Sequence, residues 1–532
     1  RTTVGPKTTA DEVLITAEMD HPRATAVVAV SGGALSLWPG MSLTGIAGSL
    51  TEGDRPGRLA VDFAGGYGGV DGRLWQASGW VDPQSRGASL ALTAERFTFD
   101  RIAPILKKSV VVDYQHTLVD ASLHIDVAEG QAALEGHFGV SGLNVSHPML
   151  ASKPVRDIEV GGDISGWFDQ ATRTLTIEKA HLRSRGVDYK IEATAQMPGG
   201  ALPGGARRQR WHVGGRFDIP ALPCQKMLDG IPSELIPYIK DADLDGVFDT
   251  SIHFDIDWAD LQATQLGGRV GIWGCRVRRM PGESSSGRLR DTFTHYVEVE
   301  RGEWLAFDVG PSNPDFVPIG EVSPYLIKSL LTTEDGSFYH HRGFIKSEFK
   351  SALIRNLETG YFSYGASSIT MQMVKNVMLY SEKTLSRKLQ ELFLTWYVEQ
   401  GLSKDRILEI YVNVIEYGPG LYGIGPAARR YFGKSARDLN PVEAAFFSSI
   451  LPNPKGRYRQ YCEDKLSKYT VTKIARILEL MYKRGHITAE EYELAKNTPL
   501  VFDRAGAGSL DECKAQIYRA VKNARPTNPM KK

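Results

Sequence analysis

The sequence predicts a multidomain protein, with an antiparallel β-rich N-terminal region followed by a mainly α-helical C-terminal domain. Three observations carry that prediction. At 532 residues the chain is too long for one hydrophobic core. From about Val13 to Val277 apolar and polar residues alternate with period two, punctuated by Gly, Asp and Pro. Beyond Phe307 the apolar residues recur instead with the 3.6-residue period of a helix that buries one stripe.

The strands come first. Ala88–Ala94, Ala121–Val127 and Thr250–Asp257 each put one face inward and the other toward solvent. Pro198–Gly205, rich in Gly and Pro, is a flexible break among them. Phe97–Leu106 and Phe217–Leu228 share a pattern, a strand ending in a short Pro-containing helix. On that pattern the region loosely resembles the AsmA-like repeats of bacterial envelope proteins, which implies a lipid-lined β groove. A plain scaffold that spaces the rest of the chain from a membrane fits equally. Residues 1–280 are assigned to this region and 281–290, with Pro281–Gly287 polar and Gly/Ser-rich, to a linker.

The helical domain is expected over 291–500. Lys383–Glu399 places Leu385, Leu389, Leu392, Phe393 and Trp396 on one stripe. Gly401 ends that helix, and Ser403 caps the next, which carries Ile407, Leu408, Ile410, Tyr411 and Val414. Asn440-Pro441 with Glu443, and Thr488 with Glu491, read as capped helix starts. Residues 501–532 read as a loose polar tail.

Composition narrows the function. Hydrophobic residues at 42% and charged residues at 23% are ordinary for a globular protein. Lys plus Arg number 63 against 62 Asp plus Glu, so no overall field points to nucleic acid, and phosphate recognition must be local. No run of about 18 apolar residues is present to span a bilayer. The chain opens at Arg1 with neither Met nor a signal-peptide pattern, so an anchor or targeting signal is expected upstream. Cys224, Cys275, Cys462 and Cys513 show no CxxC, which argues against zinc. Free thiols and any of three pairings stay open.

The chemistry concentrates in Leu331–Leu392. In Glu334-Asp335-x-x-Phe338-x-x-His341, a helical reading puts Glu334, Phe338 and His341 on one face. There the aromatic dries one side of a carboxylate that Asp335 and His341 orient, the setting a general base needs. A surface Glu-Asp helix start above a core Phe has the same pattern. After Gly365-Ala366, Ser367 or Ser368 can cap a helix that sets Gln372, Lys375 and Asn376 on one polar face. Arg387 and Glu391 stand four apart, with Lys388 between, which is also the spacing of a routine helix salt bridge.

Together and in this order these elements resemble the family 51 glycosyltransferases. Lys404–Asn413 and Gly423–Lys434 complete the likeness, which runs from about Pro324 to Tyr458. The resemblance implies a lysozyme-like fold and polymerisation of lipid II into β-1,4 glycan strands, with inversion and release of undecaprenyl pyrophosphate. It makes Glu334 the base and Glu391 the second essential glutamate. Lys375 and Arg387 match cations that neutralise the leaving group. Asp335, Phe338, His341, Ser367, Ser368, Gln372, Asn376 and Lys388 match supporting positions. Mg or Mn assists some members; with no separate metal motif here, no cofactor is expected to be required. The implied partners are lipid II, the growing strand, the membrane surface and a separate transpeptidase, at the periplasmic face of the inner membrane. No nucleic acid is implied. Ser347–Lys350 fits an SxxK spacing without the motifs that accompany it in transpeptidases.

Three departures stand out. Ser368 replaces the family's usual Thr, Ala366 a common Gly, and Met371 one of two glutamines, from which altered acceptor contacts are expected. Phe344–Tyr364 mixes aromatics with Lys346, Lys350 and Arg355, as in the family segment that dips into the membrane. A lysozyme-like lytic enzyme and a catalytically weak lipid-binding scaffold are the competing readings. The order of cations after Glu334 weighs against the first, and intact Glu334, Glu391, Lys375 and Arg387 against the second.

Overall fold

Alternation in the N-terminal half becomes one antiparallel meander. The computed structural model describes residues 2–3, 9–10, 18–20, 23–25, 28–38, 41–68, 70, 72–202, 205, 207–300, 302–359, 367–379, 384–505 and 508–524. Two compact units are present. One comprises residues 1–278 with 357–360 and 384–386, the other 279–356, 361–383 and 387–532.

The first unit holds a 16-stranded sheet whose strands neighbour one another almost wholly in chain order. Short hairpins make that order possible. Glu129 and Gly130, both at positive φ (50° and 81°), turn Leu118–Ala128 into Gln131–Val145. Arg185 and Gly186 (47° and 79°) do the same between Thr174–Ser184 and Val187–Gln196. Two positive φ values match the right-handed twist of the flanking strands, and Gly takes the second without strain. The two strand-then-short-helix segments form as expected. Gly87–Thr98 runs into Phe99–Ile102 and Ala103–Leu106, and His212–Pro223 into Cys224–Asp229. Cys224 pairs with Cys275, which fastens the second of these helices to the last strand, Gln265–Arg279.

The second unit is helical, apart from a hairpin (Phe293–Glu300 with Glu303–Val309) and the short pair Glu416–Gly418 and Leu421–Tyr422. Its central helix, Pro441–Ile450, is buried from Val442 to Ile450 and packs against Pro324–Thr333 and Lys468–Lys483. A helix apolar all round belongs inside a core. Asn440 and Thr488 both form the capping boxes their sequences predict. An aromatic cluster closes around Tyr431, whose ring lies 5.2–5.4 Å from Phe446, Phe447 and Tyr461.

Three expectations change. Residues 282–289 form two 3-10 turns with Leu289 fully buried, so the stretch read as a linker is packed rather than loose. The tail is not loose either: Leu510–Ala524 is a helix whose Cys513 is bonded to Cys462. Glu334–His341 is not helical, because the helix Pro324–Thr333 ends at Glu334 and a series of turns follows. Gly365, Ala366, Tyr361, Phe362, part of the Pro198–Gly205 break and residues 525–532 lie outside the described residues.

Candidate active site

The helix Pro324–Thr333 delivers the first carboxylate. Ser323 caps it, accepting from the Tyr325 N–H, Pro324 sits at its first position, and Leu326 and Leu330 bury its inner face. Glu334 therefore emerges at its C-terminal end, half-buried, with its N–H bonded to the Leu330 carbonyl at 2.8 Å.

Asp335, only 2% exposed, turns away from Glu334. Its carboxylate pairs with His341 Nε2 at 2.8 and 3.0 Å and accepts the Ile369 N–H at 3.1 Å. Ile369 opens the helix Ile369–Met378, so the acid also sits at the end where the helix dipole favours negative charge. Ser368 caps the same helix, accepting from the Met371 N–H, and donates to the Gly343 carbonyl at 2.6 Å. These bonds tie the turns after Glu334 to the helix that faces it. Phe338, 1% exposed, fills the space beneath, with its ring edge-on to Tyr339 and the Lys404 ammonium 4.4 Å from its centre.

From that helix Gln372 reaches Glu334, its Nε2 donating to Oε2 at 3.0 Å. The hydroxyl of Tyr411, on the helix Lys404–Val414, donates to the other end of the same amide at 3.2 Å. One turn on, Lys375 is open to solvent, yet its pKa falls below the ordinary lysine value. Desolvation by the crowded walls around it is the main cause. Glu391 opposes the shift, and the charges of Arg387 and Lys388 reinforce it. Asn376 lies half-buried beside it, and Ser367 half-buried before the helix.

The helix Leu385–Gly401 brings the third group. Glu391 is 2% exposed, and both its oxygens are engaged, one by Arg387 and the other by Lys388 at 2.7 Å. A carboxylate held in this way orients both cations. The triad keeps one net positive charge, and its three groups act electrostatically on Lys375, as does Glu334.

The Transglycosylase family model matches residues 304–482. A biosynthetic peptidoglycan transglycosylase of Acinetobacter baumannii (strain ACICU) is 36% identical over 188 residues, covering 35% of this chain and 83% of that one. Its namesake in Acinetobacter baylyi is 42% identical over 165 residues, covering 30% and 74%. The chain belongs to the peptidoglycan transglycosylase family. A third relative of the same name, from Bdellovibrio bacteriovorus, is 40% identical over 164 residues, 31% of this chain and 64% of that one. The family match leaves the β sheet of this transglycosylase outside it. Penicillin-binding protein 1A from Haemophilus influenzae aligns at 21% identity and a TM-score of 0.21, over 40% of this chain and 21% of that one, too weakly to inform the fold.

Within the transglycosylase, Glu334 and Gln372 come into direct contact, Asp335 joins His341 and the capped helix, and Arg387 and Lys388 join Glu391. One expected arrangement is different: Asp335 and His341 pair with each other and brace the turn, whereas the group that touches Glu334 is Gln372. Met371 is 1% exposed, so its thioether packs in the interior. Tyr411 had been read only as part of an apolar stripe. A buried tyrosine hydroxyl needs a partner, and that requirement was the available signal.

Asp335 and Glu391 spend their oxygens on protein donors, and among the described residues no group of three or more His, Cys, Asp or Glu is placed to hold a metal ion.

Proposed function

We propose that this peptidoglycan glycosyltransferase polymerises lipid II with Glu334 as general base. The supporting observation is a half-buried carboxylate, one oxygen held by Gln372, within electrostatic reach of Lys375, which also feels the Arg387–Glu391–Lys388 triad. In this reading the second Glu334 oxygen takes the proton of the acceptor GlcNAc 4-hydroxyl. The oxygen so freed attacks C1 of the lipid-linked donor strand. The bond from C1 to pyrophosphate breaks with inversion from α to β, undecaprenyl pyrophosphate departs, and Glu334 returns its proton to solvent. Negative charge grows on the leaving oxygens as the bond breaks, where fixed cations are most effective. Lys375 is the cation best suited to meet them, since Arg387 and Lys388 are anchored on Glu391. Asp335, Phe338, His341, Ser367, Ser368 and Asn376 are assigned to shaping the cleft.

In the same reading the catalytic unit has a lysozyme-like fold and works at the periplasmic face of the inner membrane, beside a separate transpeptidase. Among the described residues no helix is long and apolar enough to cross a membrane. The helix Lys346–Thr359 suits a surface role: Ile354 is buried while Lys350 and Arg355 are exposed. Residues 1–280 are assigned a scaffold role.

The test is polymerisation of labelled lipid II in detergent. Glu334→Gln should lower the rate by about 10²–10⁴-fold, the usual worth of a positioned base. Release of soluble muropeptides from purified sacculi, with no polymer from lipid II, would favour a lytic enzyme instead.

A further inference from the structure

The Gln372 side chain sits between two partners that make opposite demands. A primary amide offers two donors on nitrogen and an acceptor on oxygen, and turning it over exchanges them. Glu334 Oε2, 3.0 Å away, wants the donor side. The Tyr411 hydroxyl, 3.2 Å from the other end, can meet either side.

What removes that freedom is burial. Tyr411 is 1% exposed on the helix Lys404–Val414, packed against Ile369–Met378. Desolvation lifts its pKa well above 10, and the nearby charge of Glu334 adds to the rise, so the hydroxyl keeps its proton. A buried O–H that fails to donate leaves a costly unpaired group. Donation to Gln372 Oε1 avoids this and leaves the amide NH2 facing the carboxylate. With the amide turned over, its oxygen would face Glu334, and that arrangement is favourable only when Glu334 carries a proton.

We propose that Tyr411 is a positioning residue for the base: acting through the Gln372 amide, it holds Glu334 in the orientation and charge state that accept the sugar proton. This rests on the reading of Glu334 as base. The tyrosine touches no reacting atom; its hydroxyl biases an amide that does the holding. Removing the hydroxyl frees the amide to turn and makes the protonated carboxyl easier to form. The acidic limb of the rate profile should then move to higher pH.

The experiment is steady-state polymerisation of labelled lipid II by the full chain, followed between about pH 5 and pH 9. It compares the parent with Tyr411→Phe, Gln372→Leu, the double variant and Glu334→Gln. For Tyr411→Phe we expect kcat to fall about tenfold with KM within about twofold, and the acidic limb to rise by about half a unit or more. In the Gln372→Leu background the same change should add nothing, because the two residues act in series. An acidic limb that stays at the parent position, or losses that multiply in the double variant, would overturn the proposal even if Tyr411→Phe melts earlier. If Tyr411→Phe does not fold, Gln372→Glu carries the test. It sets a second carboxylate where the donor stood, so an unmoved acidic limb again overturns the relay. The two ideas fail separately. Parent-like activity in Glu334→Gln removes the base reading, whereas an inactive Glu334→Gln beside a parent-like Tyr411→Phe removes only the role of Tyr411.

Discussion

Asp335 shows how much one buried side chain can organise. It accepts from His341 on one side and from the Ile369 N–H on the other, so it joins a turn to a helix start. Asp335→Ala leaves both donors unpaired, one of them on a largely buried ring. The expected cost is about 1–3 kcal/mol. In a unit of this size that lowers the melting temperature by about 2–4 °C per kcal/mol, readable by calorimetry. Activity should fall as well, because Gln372 rides on the helix that Asp335 braces; a variant with parent stability would contradict this role. Glu391 illustrates the opposite use of a carboxylate. With both oxygens on cations it fixes where positive charge sits; in the proposed mechanism Lys375 is the cation that meets the leaving group.

At the scale of elements, the hairpin Phe293–Val309 carries a built-in acid sensitivity. His295, on its first strand, is 3% exposed and edge-on to Phe307 at 5.3 Å. Burial, reinforced by Arg288, lowers its pKa to about 4. The sign follows from linkage. Below the ordinary value of 6.5 the unfolded chain takes up a proton that the folded one refuses, so stability is full above that pH. It declines as pH falls toward 4, by up to about 3 kcal/mol. Melting curves at pH 7 and pH 5 should therefore converge for His295→Phe and separate for the parent. The C-terminal helix Leu510–Ala524 is held by a different device, the Cys462–Cys513 bond, which closes a loop of 51 residues. Chain-entropy arguments value such a closure at about 4 kcal/mol. Cys462→Ser with Cys513→Ser should lose up to that much in denaturant titration, and no loss would mean the helix is held by packing alone. Elements of this kind were legible in the sequence to different degrees. Capped helices such as Pro441–Ile450 and alternating strands such as Ala121–Val127 announce themselves, because their signals are local. The turn from Asp335 to His341 does not: its spacing mimics a helix, and the bond that breaks the pattern comes from Ile369, 34 residues away. Tyr411 was hidden for the same reason, since its partner Gln372 lies on another helix.

For the whole molecule, two kinds of order coexist in one chain. The sheet is built mostly by sequential hairpins, nearly every strand beside the next. The helical unit instead gathers its candidate site residues from separate helices and one turn. In the proposed mechanism its chemistry divides between Glu334 as base and Lys375, with the charges of the Arg387–Glu391–Lys388 triad near it, as the cation for the leaving group. The most direct test of that division follows polymer and undecaprenyl pyrophosphate together, from labelled lipid II, for the parent, Glu334→Gln and Lys375→Met. The account predicts that both products appear in step for the parent and that both are lost in either variant, by about 10²-fold or more. Polymer formed by Glu334→Gln at the parent rate would contradict it.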